Sequence, residues 1–146
     1  MRAGVRLSVR TVPPKAHRHA LQPYDSLLQV MPREPLLSVA VRSIGRRAVV
    51  EVRGEIDVST GPELAAALDR TLAAGAAQIW VDLSETTFMD STGLHVLGEL
   101  RDRVVELNRR LAVICPDGPV RRTLEVSGLA GMLPLHASRA AAQREA

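Results

Sequence analysis

The chain has 146 residues, of which 46% are hydrophobic, and this is enough apolar material for one domain with a single core. No apolar run approaches the length that a membrane span needs. Aromatic residues make up only 2% of the chain, too few for a surface that stacks on nucleic-acid bases. The single cysteine excludes an internal disulfide and is typical of the reducing cytoplasm. These properties predict a cytoplasmic protein that binds neither nucleic acid nor membrane.

The net charge of +3 is concentrated near the N-terminus. Residues 1–35 carry six basic and two acidic side chains, five prolines and no sustained hydrophobic periodicity, so we expect a disordered basic tail. Met31 lies shortly before the first predicted strand and is an alternative start for the chain. Residues 36–146 hold thirteen basic and fourteen acidic side chains. Within them we predict one domain over 36–138 and a C-terminal tail over 139–146.

From residue 36 onward, short apolar runs alternate with amphipathic segments. The short runs predict strands over 37–41, 48–52, 79–83, 111–115 and 133–136. The amphipathic segments predict helices over about 60–74, 91–110 and 119–127. The order β-β-α-β-α-β-α-β predicts an α/β fold: a mixed β-sheet of about five strands, parallel in the centre, with helices packed against it.

The helix predicted from Asp90 onward has apolar side chains at helical spacing on one face. These side chains are Leu94, Leu97, Leu100, Val104 and Leu107, and the opposite face carries Glu99, Asp102 and Glu106. We expect the apolar set to be buried. Phe88 and Met89, which precede the helix, are expected to re-enter the core after a polar turn. Cys115, at the end of a later apolar strand, is expected to be a buried and unreactive thiol.

Parallel strands end at the same edge of a sheet, so the segments that follow them are expected to lie together. These segments are Glu55–Asp57, Asp90–Thr92 and Asp117–Pro119, and we take their common edge as the functional face. At a helix start, the side-chain oxygens of Asp90 and Ser91 accept hydrogen bonds from the free amides of the first turn. A phosphate on Ser91 would also be favoured there, by the amides and by the helix dipole.

Three short motifs resemble the STAS domain, in the branch called anti-sigma factor antagonists. Phe88–Leu94, with the sequence FMDSTGL, is similar to the signature loop of that family. Gly54–Asp57 (GEID) and Glu125–Leu129 (EVSGL) are similar to the second and third family motifs. The motifs occur in the family order and at family-like separations, so the resemblance covers roughly Leu36 to Ser138.

The resemblance implies a regulatory protein, not an enzyme, that acts in a partner-switching module. In its unphosphorylated form such a protein binds an anti-sigma factor that is also a serine kinase, and a sigma factor is released. The kinase phosphorylates the serine that corresponds to Ser91, and a separate serine phosphatase reverses the modification. We expect a monomer without a cofactor. Its expected partner-binding residues are Glu55, Asp57, Asp90, Ser91, Thr92 and His95.

Two other interpretations of this cluster are weaker. Asp90, Ser91 and His95 have the composition of a catalytic triad, but Asp90 stands where a helix cap stands, beside the serine and not behind the histidine. Glu55, Asp57 and Asp90 are ligand types for a hard cation, but without metal-site spacing a solvated acidic rim is the better interpretation. We therefore expect no metal. We also expect no nucleotide site, because the chain lacks a glycine-rich phosphate loop.

A different class of function is left open at this point. STAS domains also occur as non-enzymatic subunits of lipid- or anion-transport assemblies, in which the serine would be structural and no phospho-switch would operate. A neighbouring gene for a small ATPase of the histidine-kinase type would favour the anti-sigma partner. A neighbouring gene for an ABC transporter would favour the transport assembly.

Overall fold

A computed structural model describes residues 7–10 and 36–145 of the chain. They form six strands and four α-helices, with a short 3-10 helix at Leu129–Gly131. The strands are β1 (Leu7–Arg10), β2 (Leu37–Ile44), β3 (Arg47–Ile56), β4 (Gln78–Met89), β5 (Arg110–Ile114) and β6 (Leu135–His136). The helices are α1 (Gly61–Ala73), α2 (Ser91–Glu106), α3 (Pro119–Val126) and α4 (Arg139–Arg144). None of these helices is long and apolar enough to cross a membrane.

All six strands belong to one sheet, in the order β1-β2-β3-β4-β5-β6. β1, β2 and β3 pair antiparallel, whereas β3, β4, β5 and β6 pair parallel. The β2–β3 connection is a tight turn, in which Gly45 adopts a positive φ of 60° that favours glycine. Each parallel pair is joined through a helix, because parallel neighbours need a crossover connection. The predicted α/β fold, a mixed sheet that is parallel in its centre, is confirmed.

The two faces of the sheet are covered differently. α1, α2 and α3 enclose the main core, where Leu64, Leu97 and Leu124 are buried against the sheet. The opposite face, called the outer face below, carries a smaller apolar cluster under α4. Its members are Val49, Trp80, Ala112, Ile114 and Ala142. Burial of a large aliphatic side chain stabilises the fold by about 1.5–3 kcal/mol, so the helix-covered face supplies most of the driving force.

The apolar stripe of α2 matches its prediction in the centre and differs at the C-terminal end. Leu97, Leu100 and Val104 are buried, and the three predicted acidic residues lie on the exposed face. Leu94 is half-buried and packs against the core. Leu107, which the helical spacing placed in the stripe, is 47% exposed. It is no longer a helical residue, because α2 ends at Glu106 and Leu107 is the C-terminal cap.

β4 is longer than the sequence pattern indicates. Ser84–Thr87, predicted as a polar turn, continues the strand to Met89, and β3 runs beside it to Ile56 with two register shifts. Successive residues of a strand point to opposite faces, so Met89 is buried in the main core while Phe88 is 48% exposed. The prediction that Phe88 lies in the core is therefore wrong.

Two segments that the sequence analysis assigned to tails contain regular structure. Leu7–Arg10, within the predicted disordered tail, forms β1 and pairs with Ser38–Val41 of β2. Without β1, β2 would be an edge strand with a row of unpaired backbone groups. The rest of the predicted tail 1–35 lies outside the described residues. Residues 139–144 form α4, which is not a free tail because its Ala142 is buried against the outer face.

Polar contacts hold the start of α4 on the outer face. Arg139 Nε donates to Asp82 Oδ2 at 2.6 Å, and its Nη2 donates to Glu51 Oε2 at 2.6 Å. Burial opposes the charged form of Arg139, but these two carboxylates raise its pKa above the ordinary value. The other oxygen of Asp82, which is 7% exposed, accepts hydrogen bonds from the amide and hydroxyl of Ser84 at 2.9 and 2.6 Å. Both carboxylate oxygens of Asp82 thus have hydrogen-bond partners.

Cys115, the residue after β5, is 1% exposed, as predicted. Burial raises the pKa of its thiol from 9.0 to about 11. Only the thiolate reacts. The raised pKa lowers the fraction of thiolate at neutral pH about a hundredfold relative to an ordinary cysteine. We expect Ellman's reagent to modify the folded protein about a hundredfold or more slowly than the urea-unfolded protein. Equal rates in the two states would contradict the burial of this thiol.

Candidate functional site

The end of the sheet where β3 and β4 stop together brings two of the predicted segments into contact. Glu55 is level with Phe88, and Ile56 with Met89, in the last pairs of the parallel register. Just beyond them, the Asp90 amide donates to the Ile56 carbonyl at 3.2 Å. The segments 55–57 and 90–92 therefore lie next to each other, and they form one surface at this edge.

The third predicted segment, Asp117–Pro119, does not lie at this edge. β5 ends at Ile114, which is level with Asp82, and β4 continues from Asp82 to Met89 before α2 begins. The turn after β5 is thus set back along the sheet by the extra length of β4. The expectation that three helix starts converge on one edge is wrong for α3. The polar residues Ser84–Thr87 extend β4 beyond the end of β5, and their sequence did not indicate a strand.

Asp57 organises the tight turn between β3 and α1. Its Oδ1 accepts hydrogen bonds from the Ser59 hydroxyl at 2.7 Å, the Ser59 amide at 2.9 Å and the Thr60 amide at 3.1 Å. The hydrogen bond from the Ser59 hydroxyl lowers the pKa of Asp57 below the ordinary value of 3.8. Because the folded pKa is lowered, the stability contributed by Asp57 is present above pH 3.8 and is lost as the pH falls through the folded value. Asp57 is therefore an anion at neutral pH.

Thr60 and Gly61, which sequence reasoning did not single out as site residues, bring the starts of α1 and α2 together. Thr60 is fully buried, and its hydroxyl donates to the Glu55 carbonyl and accepts from the Asp57 amide, both at 2.8 Å. A Cβ on Gly61 would lie 2.4 Å from Cγ2 of Thr92, so the close approach of the two helices depends on glycine. The one sequence signal for this contact is the Gly-Pro pair at the start of the predicted helix.

Ser91 is the first residue of α2, and it is exposed. The helix cap is Asp90, whose Oδ1 accepts a hydrogen bond from the Thr92 amide at 2.8 Å. Among the residues that the structure describes, none forms a hydrogen bond with the Ser91 hydroxyl. The expectation that Asp90 and Ser91 both cap the helix therefore holds only for Asp90, and the serine hydroxyl has no structural task within the described part of the chain.

Gly93 allows the first turn of α2 to lie directly on the end of the sheet. A Cβ at this position would lie 2.3 Å from Cγ of Met89 and 3.1 Å from Cγ2 of Ile56. Met89 and Ile56 are the buried last residues of β4 and β3. The backbone that carries Ser91 is therefore supported from below by packed core side chains, and its position relative to the acidic residues of the edge is fixed.

The surface around Ser91 combines carboxylates with exposed apolar side chains. Glu55, Asp57 and Asp90 form an acidic rim, and in residues 36–145 no basic side chain forms an ion pair with any of them. Val58, which is 78% exposed, lies in the Asp57 turn, and the exposed Phe88 lies beside Glu55 in the sheet register. Exposed apolar side chains surrounded by polar ones are typical of a protein-docking surface.

His95 lies one helical turn after Ser91 but is engaged elsewhere. Its Nε2 contacts the carboxylate of Glu99 on the exposed face of α2, and Asp90 accepts a hydrogen bond from the Thr92 amide. Within the described ranges, no hydrogen bond links Ser91, His95 and Asp90, so these side chains are not arranged as a nucleophile with an oriented base. Nor do these ranges bring three or more His, Cys, Asp or Glu side chains together as a metal site.

A comparison with known families decides what kind of domain this is. The model of the STAS domain matches residues 38–142, which are most of the chain. The chain belongs to the STAS domain family. This confirms the resemblance of the three motifs, and the matched range of the STAS domain extends past residue 138 into α4.

Several relatives of this STAS domain are anti-sigma factor antagonists. The anti-sigma-B factor antagonist of Staphylococcus aureus (strain NCTC 8325 / PS 47) is 31% identical over 84 residues, which are 58% of this chain and 78% of the relative. The anti-sigma-F factor antagonist RsfB of Mycobacterium tuberculosis (strain CDC 1551 / Oshkosh) is 27% identical over 93 residues, covering 64% of this chain and 75% of the relative.

A solved structure agrees with the STAS fold seen here. The crystal structure of an anti-sigma factor antagonist from Mycobacterium paratuberculosis has a TM-score of 0.66 to this chain at 27% sequence identity. The comparison covers 70% of this chain and 86% of that protein. The mixed sheet with its helices is thus the architecture of the family, and the edge around Ser91 lies within the matched range.

Proposed function

We propose that the chain is an anti-sigma factor antagonist whose partner binding is switched off by phosphorylation of Ser91. The names of its relatives support the general role. The observation that carries the switch is the position of Ser91, which is exposed at the start of α2 with its hydroxyl unused, because Asp90 is the cap. In the unphosphorylated form, this surface binds an anti-sigma factor that is also a serine kinase, and a sigma factor is released.

The residues around Ser91 take different parts in this proposal. Glu55, Asp57 and Asp90 supply the negative rim that a basic partner surface would recognise. Thr92 is half-buried against Gly61, so it supports the shape of the surface and is a poor phosphate acceptor. His95 is exposed beside the serine and extends the surface along α2.

The effect of a phosphate follows from the charges at this edge. It would add about −1.5 to −2 charges at neutral pH next to an acidic rim that no basic side chain of residues 36–145 neutralises. The helix dipole of α2 favours an anion at its start, but the Thr92 amide is already bound to Asp90 and offers the phosphate no hydrogen bond. A partner surface that fits the neutral hydroxyl would then face an uncompensated dianion, until a separate serine phosphatase removes it.

The switch requires no change of fold. The first turn of α2 rests on Met89 and Ile56 through Gly93, so a modification of the exposed hydroxyl does not disturb a packed contact. The proposed mechanism is thus a local change of charge on a rigid surface.

Phosphorylation of the full chain by the cognate anti-sigma factor is the direct test. After incubation with ATP, we expect one phosphate per chain, located on Ser91 by mass spectrometry. Ser91→Ala should stay unmodified, while Thr92→Ala, the neighbouring hydroxyl, should be modified at close to the wild-type rate. Ser91→Ala should also unfold within about 0.5 kcal/mol of the wild type, because Ser91 is exposed and is not the cap.

Two results would reject the proposal. Phosphate on Thr92, or continued phosphorylation of Ser91→Ala, would show that the acceptor is a different residue. No phosphorylation at all, together with stable binding to a permease or transport ATPase, would favour the transport-assembly alternative.

A further inference from the structure

The end of the sheet opposite Ser91, where the parallel strands begin, has its own set of functional groups. β3 begins at Arg47, β4 at Gln78 and β5 at Arg110, and these three residues are level with one another in the register. Arg46 precedes them in the β2–β3 turn. This end of the domain, called the base below, is therefore basic, in contrast to the acidic rim around Ser91.

A cleft of about 210 Å³ opens at the base on the outer face of the sheet, between α4 and the starts of β4 and β5. Its polar lining consists of Gln78, Trp80, Arg110, His136 and Glu145. Its apolar lining includes Ala112, Leu135 and Ala142. The cleft is smaller than the roughly 300 Å³ at which pockets for drug-sized ligands begin, so it suits a ligand of fragment size.

Trp80 in the wall of this cleft has an unsatisfied donor. Its side chain is 3% exposed, and its Nε1 is the one buried side-chain polar atom in the described residues without a hydrogen-bond partner. Arg47 lies 3.9 Å from the centre of the indole ring and donates to Gln143 of α4 at 2.9 Å, so the ring is held in place. The indole ring is therefore a fixed part of the cleft wall, while its N–H has almost no solvent-accessible surface.

Two donors with free hydrogens line the same cleft. The Gln78 side-chain oxygen accepts a hydrogen bond from Arg47 Nε at 3.0 Å, which leaves the amide hydrogens of Gln78 for another acceptor. The guanidinium of Arg110 has no hydrogen-bond or ion-pair partner among residues 36–145. Glu145 is the acid of the cleft, and it pairs with His136 at 3.4 Å. The lining therefore has an excess of donors over acceptors.

We propose that this cleft binds a small carboxylate with an apolar body. Its carboxylate oxygens would accept hydrogen bonds from Gln78 and Arg110, and its apolar part would lie against Ala112 and the neighbouring side chains of β6 and α4. The apolar lining selects such a molecule over an inorganic anion, which would leave these side chains uncovered. The site is at the other end of the sheet from Ser91, so it is separate from the proposed partner-binding surface.

Trp80 is the only tryptophan of the chain, so its indole N–H gives a single NMR resonance that reports on this site. Benzoate, phenylacetate and hexanoate would each be titrated into the full-length protein. We expect at least one of them to shift the indole resonance in a saturable manner, because Trp80 lines the cleft. Benzamide keeps the shape of benzoate without its charge, and its affinity should be lower than that of benzoate by about tenfold or more. Inorganic phosphate should cause no saturable shift.

A pair of variants separates the cleft from the general charge of the base. Arg110→Gln removes the cation that lines the cleft and should weaken carboxylate binding about tenfold or more. Arg46→Gln removes a charge from the same base but outside the cleft, and it should change the affinity by about twofold or less. Thermal unfolding of both variants checks that the fold is intact.

Three outcomes would overturn the proposal. An indole resonance that none of the three carboxylates moves would mean that the cleft does not bind such a carboxylate. Saturable binding of phosphate with the strength of the carboxylates would mean that the base attracts anions without a specific cleft. An equal loss of affinity in Arg110→Gln and Arg46→Gln would lead to the same conclusion.

Discussion

Ser91→Asp is expected to weaken binding to the anti-sigma factor by about a hundredfold or more, whereas Ser91→Ala is expected to bind as the wild type does. The aspartate puts a fixed charge on an exposed residue beside Asp90, at the edge that also carries Asp57. A partner surface that fits the neutral serine would have to desolvate this extra charge without a compensating cation. A mismatch of about 2.7 kcal/mol corresponds to a hundredfold change in affinity.

The decisive comparison for this prediction is with Ser91→Asn. Asparagine has the size and shape of aspartate but no charge, so calorimetric binding of the two variants separates charge from bulk. Both substitutions should leave the protein folded, since Asp90 caps α2 and an acidic residue in the first turn is favourable. If aspartate and asparagine reduce the affinity equally, charge at this position is not the switch.

Leu97→Ala is expected to lower the free energy of unfolding by about 2–5 kcal/mol. Leu97 is fully buried in the main core, where α2 packs against the sheet. Truncation to alanine removes apolar contacts and leaves a cavity, because the surrounding strands and helices can relax only in part. The measurement is equilibrium unfolding in urea, followed by circular dichroism.

Leu107→Ala is the matched control for Leu97→Ala, with the same chemical change at the end of the same helix. Leu107 is 47% exposed, so its truncation should cost about 1 kcal/mol or less. The helical spacing in the sequence would place both leucines on the buried face, whereas the structure distinguishes them. Equal losses of stability in the two variants would mean that the observed end of α2 is wrong.

Much of the architecture followed from local patterns. The apolar runs and amphipathic segments predicted the order of strands and helices over residues 37–136, because periodic burial leaves a local trace in the sequence. Asp90, Ser91 and Gly93 were recognisable as a helix start within a family motif. Their association with the segment 55–57 was also predictable, since parallel strands end at a common edge.

The length of β4 was decided by tertiary contacts. Ser84–Thr87 is polar and resembles a turn, but it lies beside β3, where Glu85 and Thr86 are paired with Arg53 and Gly54. Local hydrophobicity does not report such pairing, because hydrogen bonds between strands depend on residues far apart in the chain. The same extension exposes Phe88 and sets the Asp117–Pro119 turn back from the functional edge.

The sequence by itself thus determined the fold class, the family motifs and the serine at the start of α2. Only the tertiary structure decided that Asp90 is the cap, that Gly61 touches Thr92, and that α4 is fixed to the sheet by Arg139. The physical reason for the last two is that they are contacts between residues distant in sequence. The cap is a local contact of Asp90 with the Thr92 amide, but two adjacent residues with capping side chains left the sequence unable to choose between them. Position 61 requires glycine because Thr92 leaves no room for a Cβ, and Arg139 is held by carboxylates on β3 and β4. Neither contact produces a periodic pattern along the chain.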